Sequence, residues 1–509
     1  MWRAKKKKEE ENKKEDSLLA TLSKNLEVLK EKLHNSSDCV FREFVIGDKV
    51  NAAMVYIDGL TDKKVIHDDV IRPLMFSYAA GELPQKRLLK YIEDGLLIAS
   101  EIKEVNTFND ILSSILSGDT VVLVDGEKVA IIVSSKGFPI RSVTEPQTES
   151  VIRGPREGFT EAIRINTALL RRKIHDPDLV FENLEVGVRT KTSVVIAYVK
   201  DLAKEETVNE VRRRIKSIDI DGILDSGYIE QLIEDNPFSP FATTGYSEKP
   251  DVIAGRILEG RLAVFVDGSP IVLTIPMLFI ENFQTAEDYY SRPFFISFVR
   301  LLRYLGFFIS IIAPAFYVAL TSFHQELLPT PLLISIAAAS EGTPFPAVVE
   351  VGVMEVLFEI LREAGLRMPR AIGQAVSIVG ALVIGQATVS AGLVGEPLII
   401  VIAITAITAF LVPTLYEAGT LLRIGFYLLA ATFGLIGIGV GFLVVLVHLS
   451  SLHSYGVPFM SPIMPLEADS FQDVLIRSPL WTMKRRPRVF GDGIRQGENQ
   501  KPVKERDMQ

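Results

Sequence analysis

The sequence is poor in the residues that build small-molecule chemistry. Cys39 is the single cysteine in 509 residues, which excludes an internal disulfide and any thiolate-rich metal site. The six histidines are scattered at His34, His67, His175, His324, His448 and His453. Only the last two are near neighbours, and with no acidic partner beside them no metal site is expected. Basic charge is not in excess either: the net charge of −8 argues against nucleic acid as a partner. Phosphate loops, dinucleotide fingerprints, HExxH and GxSxG are all missing, so neither an enzyme nor a cofactor is expected. The opening stretch, MWRAKKKKEEENKKED, has no apolar core and does not read as a secretory signal. Its alternating Lys and Glu blocks read as a solvated leader, disordered or frayed-helical, assigned to residues 1–34.

Apolar residues, by contrast, crowd into the chain after Phe294. Tyr304 to Phe323, Ala371 to Gly395, Pro397 to Tyr416 and Ile424 to Val447 contain no Asp, Glu, Lys or Arg. Each run reaches the ~20 residues needed to cross ~30 Å of hydrocarbon. The fold class expected is therefore multidomain: a duplicated α/β cytoplasmic region followed by an all-α transmembrane bundle of about four to six segments.

The duplication rests on two motif pairs. VYIDGL (Val55 to Leu60) pairs with AYVKDL (Ala197 to Leu202), and VVLVDGEKVAIIV (Val121 to Val133) with AVFVDGSPIVLTI (Ala263 to Ile275). Tyr56 to Tyr198 and Asp125 to Asp267 are both separated by 142 positions, and one offset shared by two motifs implies two copies of one subdomain. Asp125-Gly126 and Asp267-Gly268 read as hairpin turns rather than catalytic acids. The subdomains are placed at 35–150 and 151–290, a transmembrane domain at 291–455, and a C-terminal tail with a disordered end at 456–509. Between the copies, Arg153 to Gly158 (RGPREG) reads either as an anion nest or as a linker whose arginines pair with acidic residues in the neighbouring subdomain.

Arg300 and Arg303 precede the first apolar run, which places the soluble region in the cytoplasm. Leu332 to Leu361 is interrupted by Pro344, Pro346 and the carboxylates Glu341, Glu350, Glu355 and Glu359. It reads either as a re-entrant segment followed by an interfacial helix or as a crossing buried against other subunits. Glu355 and Glu359 share one helical face, opposite Val351, Met354 and Phe358. Carboxylates at membrane depth pair with cations or line water, so Glu350, Glu355 and Glu359 are candidates for an acidic vestibule, with Arg362 and Arg367 as available partners. The side of the C-terminus depends on whether this segment crosses. In Ala371 to Gly395, the residues Gln374, Ser377, Ala381, Gly385, Thr388 and Gly392 form one stripe of small and weakly polar side chains. Such a stripe either permits close helix packing or lines water.

Three segments carry a resemblance: RGPREGFTEAIRINTALLRRKI (Arg153 to Ile174), FEILREAGLRMPRAIGQAVSIVGALVIGQA (Phe358 to Ala387) and SYGVPFMSPIMP (Ser454 to Pro465). They resemble the A subunit of the GerA-type spore germinant receptors over residues 40 to 490. The resemblance implies a multi-pass protein of the endospore inner membrane whose N-terminal region faces the spore core. Its implied partners are a transporter-like, nutrient-binding B subunit, a C-subunit lipoprotein, membrane lipid and further copies of itself. The implied function is a nutrient-gated cation channel that triggers germination. On that reading the pore is lined by Gln374, Ser377, Ala381, Gly385 and Thr388, or closed by a hydrophobic gate at Val379 and Val383. A dipicolinate-release-associated relative of the same family and a non-conducting membrane scaffold for germination proteins are the alternatives.

Overall fold

The computed structural model describes residues 16–47, 50–76, 102–137, 146, 149, 151–368 and 385–491. Two compact units emerge: an α/β unit holding residues 1–235, 244–277 and 484–509, and a helical unit holding 236–243 and 278–483.

The α/β unit contains the same sheet twice. Strands β1 (Cys39–Ile46), β2 (Val50–Ile57), β3 (Ile102–Val105), β4 (Thr120–Val124) and β5 (Ala130–Val133) pair in the order β1-β2-β4-β5-β3. Strands β6 (Leu179–Val186), β7 (Thr192–Val199), β8 (Gly245–Ser247), β9 (Leu262–Val266) and β10 (Val272–Ile275) pair as β6-β7-β9-β10-β8. All neighbours are antiparallel. The central strands β4, β5, β9 and β10 are buried throughout, because helices cover both faces and the Val, Ile and Leu runs have no wet side.

Each sheet is served by a pair of corresponding helices: α1 (Leu22–Lys32) and α2 (Phe108–Leu116) in the first copy, α3 (Ile163–Lys173) and, further on, α6 (Pro250–Ile257) in the second. Helices α4 (Glu205–Lys216) and α5 (Ser226–Ile233) also belong to the second copy. Both Asp-Gly pairs are turns with glycine at positive φ, 88° at Gly126 and 92° at Gly268. The two aspartates then do the same job: Asp125 Oδ1 accepts from Leu22 N–H at 2.9 Å, and Asp267 Oδ1 from Ile163 N–H at 3.2 Å. Each satisfies an orphan donor at a helix N-terminus. Asn25 and Asn166 repeat a second device, each bonding both the N–H and the carbonyl of the residue six positions upstream.

That equivalence corrects the expected leader. Residues 17–34 are folded, since α1 buries Leu22, Leu26 and Leu29 in the core of the first copy. The charge-rich leader obscured three leucines spaced four and three apart, which form one apolar face. Of the expected tail, the end at 492–509 lies outside the described residues, and the part before it packs on the α/β unit. Lys204 Nζ donates to Val489 O at 2.7 Å, Arg486 Nε to Leu258 O at 2.7 Å, and Arg261 stacks on the buried Phe490 ring at 4.1 Å. The chain thus returns to the α/β unit at residue 484.

The helical unit contains α7 (Pro293–Ser322), α8 (Thr330–Ser340), α9 (Ala347–Arg367), α10 (Glu396–Ala409), α11 (Tyr416–Phe433) and α12 (Leu435–Ser451). Among the described residues only α7, with 30 residues, is by itself long and apolar enough to span a membrane. Two runs expected to be continuous are not. Between α10 and α11 the chain turns by 110°, at Pro413, which has no N–H to extend the helix. The run from Ile424 to Val447 is a hairpin: Gly434, at φ 60° and ψ −138°, ends α11 and reverses the chain. Gly437 then packs on the Leu429 carbonyl, and Gly441 on Leu429 and Phe426.

Candidate functional site

The acidic segment resolves into two helices separated by the turn 341–346, where Pro344 and Pro346 prevent one continuous helix. Within α9, the spacing of four puts Glu355 and Glu359 on one face, as expected, and that face meets α11 at Arg423. Arg423 is 2% exposed, with Nε 2.7 Å from Glu355 Oε2 and Nη2 donating to Glu359 Oε1 at 2.7 Å. Glu359 also accepts from Arg362 Nε at 2.9 Å and from the Tyr416 hydroxyl at 2.8 Å. Arg362 lies over the Tyr416 ring, 4.0 Å from its centre.

Of the two expected partners, Arg362 reaches Glu359, whereas Arg367 pairs with Glu363. The principal cation, Arg423, was missed by sequence reasoning. It stands 64 positions from Glu359, and its one signal is being a lone arginine in an otherwise apolar stretch.

Glu350 does not join this network. It sits in the first turn of α9, 2% exposed, and accepts from Gly395 N–H at 3.4 Å. Gly395 is the N-cap of α10, so the carboxylate lies at the N-terminal ends of two helices, whose dipoles favour negative charge. Val351, Met354 and Leu398 pack around this position. On one side of Arg423 lies an open cavity of roughly 720 Å³ lined by Glu355, Glu359, Arg362, Arg367 and Thr420. Arg423 also borders a void of roughly 10 Å³ lined by Ser310, Thr408 and Tyr416, about the space of one water.

Of the expected pore stripe, Gln374, Ser377 and Ala381 lie outside the described residues, as do the expected gate residues Val379 and Val383. Gly385 and Thr388 are helical, with the Thr388 hydroxyl donating to Gly385 O at 2.9 Å.

A second charge cluster stands at the start of α7. Arg300 and Asp288 are both fully buried, 2.9 Å apart. Arg300 Nη1 also donates to Asp473 Oδ1 and O at 2.8 Å each, and Arg303 completes the cluster on Asp288 at 2.9 Å. The sequence offered these arginines only as markers of membrane side.

In the α/β unit, the segment read as an anion nest instead presents acceptors to cations of its own chain. Glu157 pairs with Arg172 and Lys173, and the Pro155 carbonyl accepts from the buried Lys249 Nζ at 2.7 Å. Burial and then the neighbouring Asp38 carboxylate push the pKa of the half-buried Cys39 thiol up, which disfavours the thiolate.

The family model described as Bacillus/Clostridium GerA spore germination protein matches residues 27–489. This chain belongs to the GerA family. It is 44% identical to spore germination protein KA of Bacillus subtilis (strain 168), over 95% of this chain and 89% of that protein. It is 41% identical to the uncharacterized membrane protein YfkQ of the same organism, over 96% of this chain and 94% of that one. Among solved structures, the N-terminal domain of the A subunit of the Bacillus megaterium spore germinant receptor GerK3 is 41% identical, with a TM-score of 0.42. It covers 52% of this chain and 97% of that one.

Proposed function

We propose that this GerA-family chain is the membrane subunit of a spore nutrient receptor, which oligomerises into a nutrient-gated cation channel in the spore inner membrane. It works beside a transporter-like B subunit and a C-subunit lipoprotein. The observation that carries this reading is the inside-out character of the helical unit. Large apolar side chains face outward, with Phe298 at 59%, Leu428 at 56% and Val444 at 62% exposure, while Arg300, Arg423 and Glu350 are 2% exposed or less. A water-soluble unit would invert that pattern; a lipid-embedded one needs it.

The return of residues 484–491 to the α/β unit supports an even number of crossings, with both ends of the described chain on the spore-core side. Glu355, Glu359 and Arg423, beside an open cavity, supply the polar groups of an ion pathway. The pore itself falls to the stripe Gln374, Ser377, Ala381, Gly385 and Thr388, or is closed by a hydrophobic gate at Val379 and Val383 on the opposite face of the same helix.

The test is reconstitution of the chain with its B and C partners in liposomes loaded with potassium. Nutrient-dependent potassium release is expected. An assembled complex that passes no cation under any nutrient overturns the channel and leaves a scaffold.

A further inference from the structure

Residues 474–483, VLIRSPLWTM, follow the last helix of the helical unit and turn their one charge inward. Arg477 is 3% exposed; its guanidinium lies over the Tyr289 ring, 5.5 Å from its centre, and its backbone N–H donates to Ser297 Oγ at 3.1 Å. Asp473, just before the segment, accepts from Arg300 at 2.8 Å and from the Tyr289 hydroxyl at 2.6 Å. The strap is thus pinned to the base of α7 at two points. Its large apolar side chains face the other way: Ile476 is 61% exposed, Trp481 47%, and Leu475 and Leu480 are exposed as well. Apart from a single 3-10 turn at Leu480–Thr482, the backbone is not helical.

Helix α7 fixes the level at which this strap sits. Its 30 residues extend about 45 Å at 1.5 Å per residue, which matches the ~40–45 Å of a bilayer with both headgroup layers included. Its exposed apolar surface reaches back to the first turn, where Phe294 is 86% exposed, because Arg300 and Arg303 turn inward to Asp288. The first turn therefore lies at headgroup level, and so does the strap held by Ser297. Water disfavours four large apolar side chains displayed together around a buried arginine. Hydrocarbon excludes lipid-exposed backbone that is not helical. The headgroup layer accepts both, since it hydrates the backbone and favours an indole ring.

We infer that residues 474–483 form an interfacial strap, seated among phospholipid headgroups of the leaflet at which α7 begins, with Ile476, Leu480 and Trp481 directed toward the acyl chains. This rests on the lipid-embedded reading of the helical unit and adds a lipid contact that no spanning helix makes. Two features select lipid over a protein partner. The level is set by α7, and the run KRRPR at 484–488 follows Trp481 after two residues, which suits anionic phospholipid at the membrane surface.

The chain has two tryptophans, Trp2 and Trp481, so Trp2→Phe leaves the strap intact and makes Trp481 the sole reporter. The full-length variant is placed in nanodiscs of equal parts phosphatidylglycerol and phosphatidylcholine. Fluorescence is quenched in turn by a spin label on the lipid headgroup, by one deep in the acyl chain, and by aqueous iodide. The expected result is strongest quenching by the headgroup label, weak quenching by iodide, and emission shifted to the blue of free tryptophan. Phe308→Trp, midway along α7 and 42% exposed, in a Trp2→Phe, Trp481→Phe chain, is the depth control and is expected to respond most to the deep label. Trp481 quenched chiefly by iodide lies in water, Trp481 quenched by none of the three is covered by protein, and Trp481 quenched chiefly by the deep label lies in hydrocarbon; each overturns the strap. If position 308 also ignores both lipid labels, the lipid-embedded reading falls with it; if 308 responds and 481 does not, only the strap falls.

Discussion

Arg171 and Asp38, 133 positions apart, meet through two parallel hydrogen bonds: Nε to Oδ2 at 2.9 Å and Nη2 to Oδ1 at 3.0 Å. Neither side chain is more than 2% exposed. Arg171 belongs to the second copy of the repeat and Asp38 to the first, so a buried ion pair joins the duplicated halves. Its remaining valences are filled: Asp38 accepts from Ser36 Oγ at 2.6 Å, Arg171 donates to Asp176 O at 3.0 Å, and the guanidinium lies over Phe181. Breaking one side of such a pair strands a charge in low dielectric and costs about 3–5 kcal/mol. Arg171→Met is therefore expected to destabilise the α/β unit by that amount, and adding Asp38→Leu to recover much of it. Hydrogen exchange of the sheet amides in the full-length chain reads both. Equal exchange in wild type and Arg171→Met would show that the pair contributes nothing.

The second prediction concerns acid. Burial raises the pKa of Glu182, but two hydrogen bonds from Arg212, at 2.7 and 2.8 Å, and one from Tyr198 outweigh it and hold the carboxyl below its usual range. A carboxylate with a folded pKa below its unfolded value stabilises the fold at neutral pH. That contribution is lost as pH falls through the folded value. Glu182→Gln is therefore expected to weaken the fold at neutral pH and to converge with wild type in acid. Urea unfolding followed from neutral pH downward checks it; a gap that widens in acid contradicts the assignment.

Gly434 gives a third. At φ 60° and ψ −138°, it occupies backbone space that only glycine enters without strain, and a β-carbon there would lie 2.7 Å from His324 Cε1 and 3.0 Å from Phe323 Cβ. Strain of this kind costs about 1–3 kcal/mol before any clash. Gly434→Ala is expected to loosen the α11–α12 hairpin, lowering the melting temperature of the detergent-solubilised chain, whereas Gly439→Ala, in open space on α12, is expected to be neutral.

These residues also show what was legible beforehand. The duplicated sheets could be read because Asp125 and Asp267 sit in turns whose chemistry is local, and their shared offset survives small changes in loop length. Helix α1 could not, because Leu22, Leu26 and Leu29 stand among lysines and glutamates, and only the sheet they cover reveals their purpose. Glu355 and Glu359 were legible as a pair, being one turn apart on a single helix. Their cation was not, since Arg423 lies beyond a helix break and nothing near either carboxylate points to it. The apolar runs suffered the converse error. Hydropathy registers the absence of charge from Ile424 to Val447, but it is blind to a reversal that depends on the backbone of Gly434.

The Arg423 cluster yields the last prediction, because its two carboxylates are unequally served. Glu359 receives hydrogen bonds from Arg423, Arg362, Tyr416 and Thr420. Glu355 has only the contact with Arg423 Nε, and its Oε1 is buried without a hydrogen-bond partner among the described residues. Neutralising Glu355 leaves Arg423 paired through Glu359, so Glu355→Gln is expected to cost the least of the three substitutions. Glu359→Gln removes the charge and one of the two oxygens that accept from Arg423, Arg362, Tyr416 and Thr420, and costs more. Arg423→Leu leaves two carboxylates a turn apart without their common cation, a loss of about 3–5 kcal/mol. If the cluster acts as a unit, Glu359→Gln in the Arg423→Leu background relieves part of that loss, giving a coupling energy above ~0.5 kcal/mol. Thermal unfolding in detergent across this double-mutant cycle measures it. Additive effects would mean that the three side chains are neighbours without being a network, and would remove the physical basis for an ion pathway through Arg423.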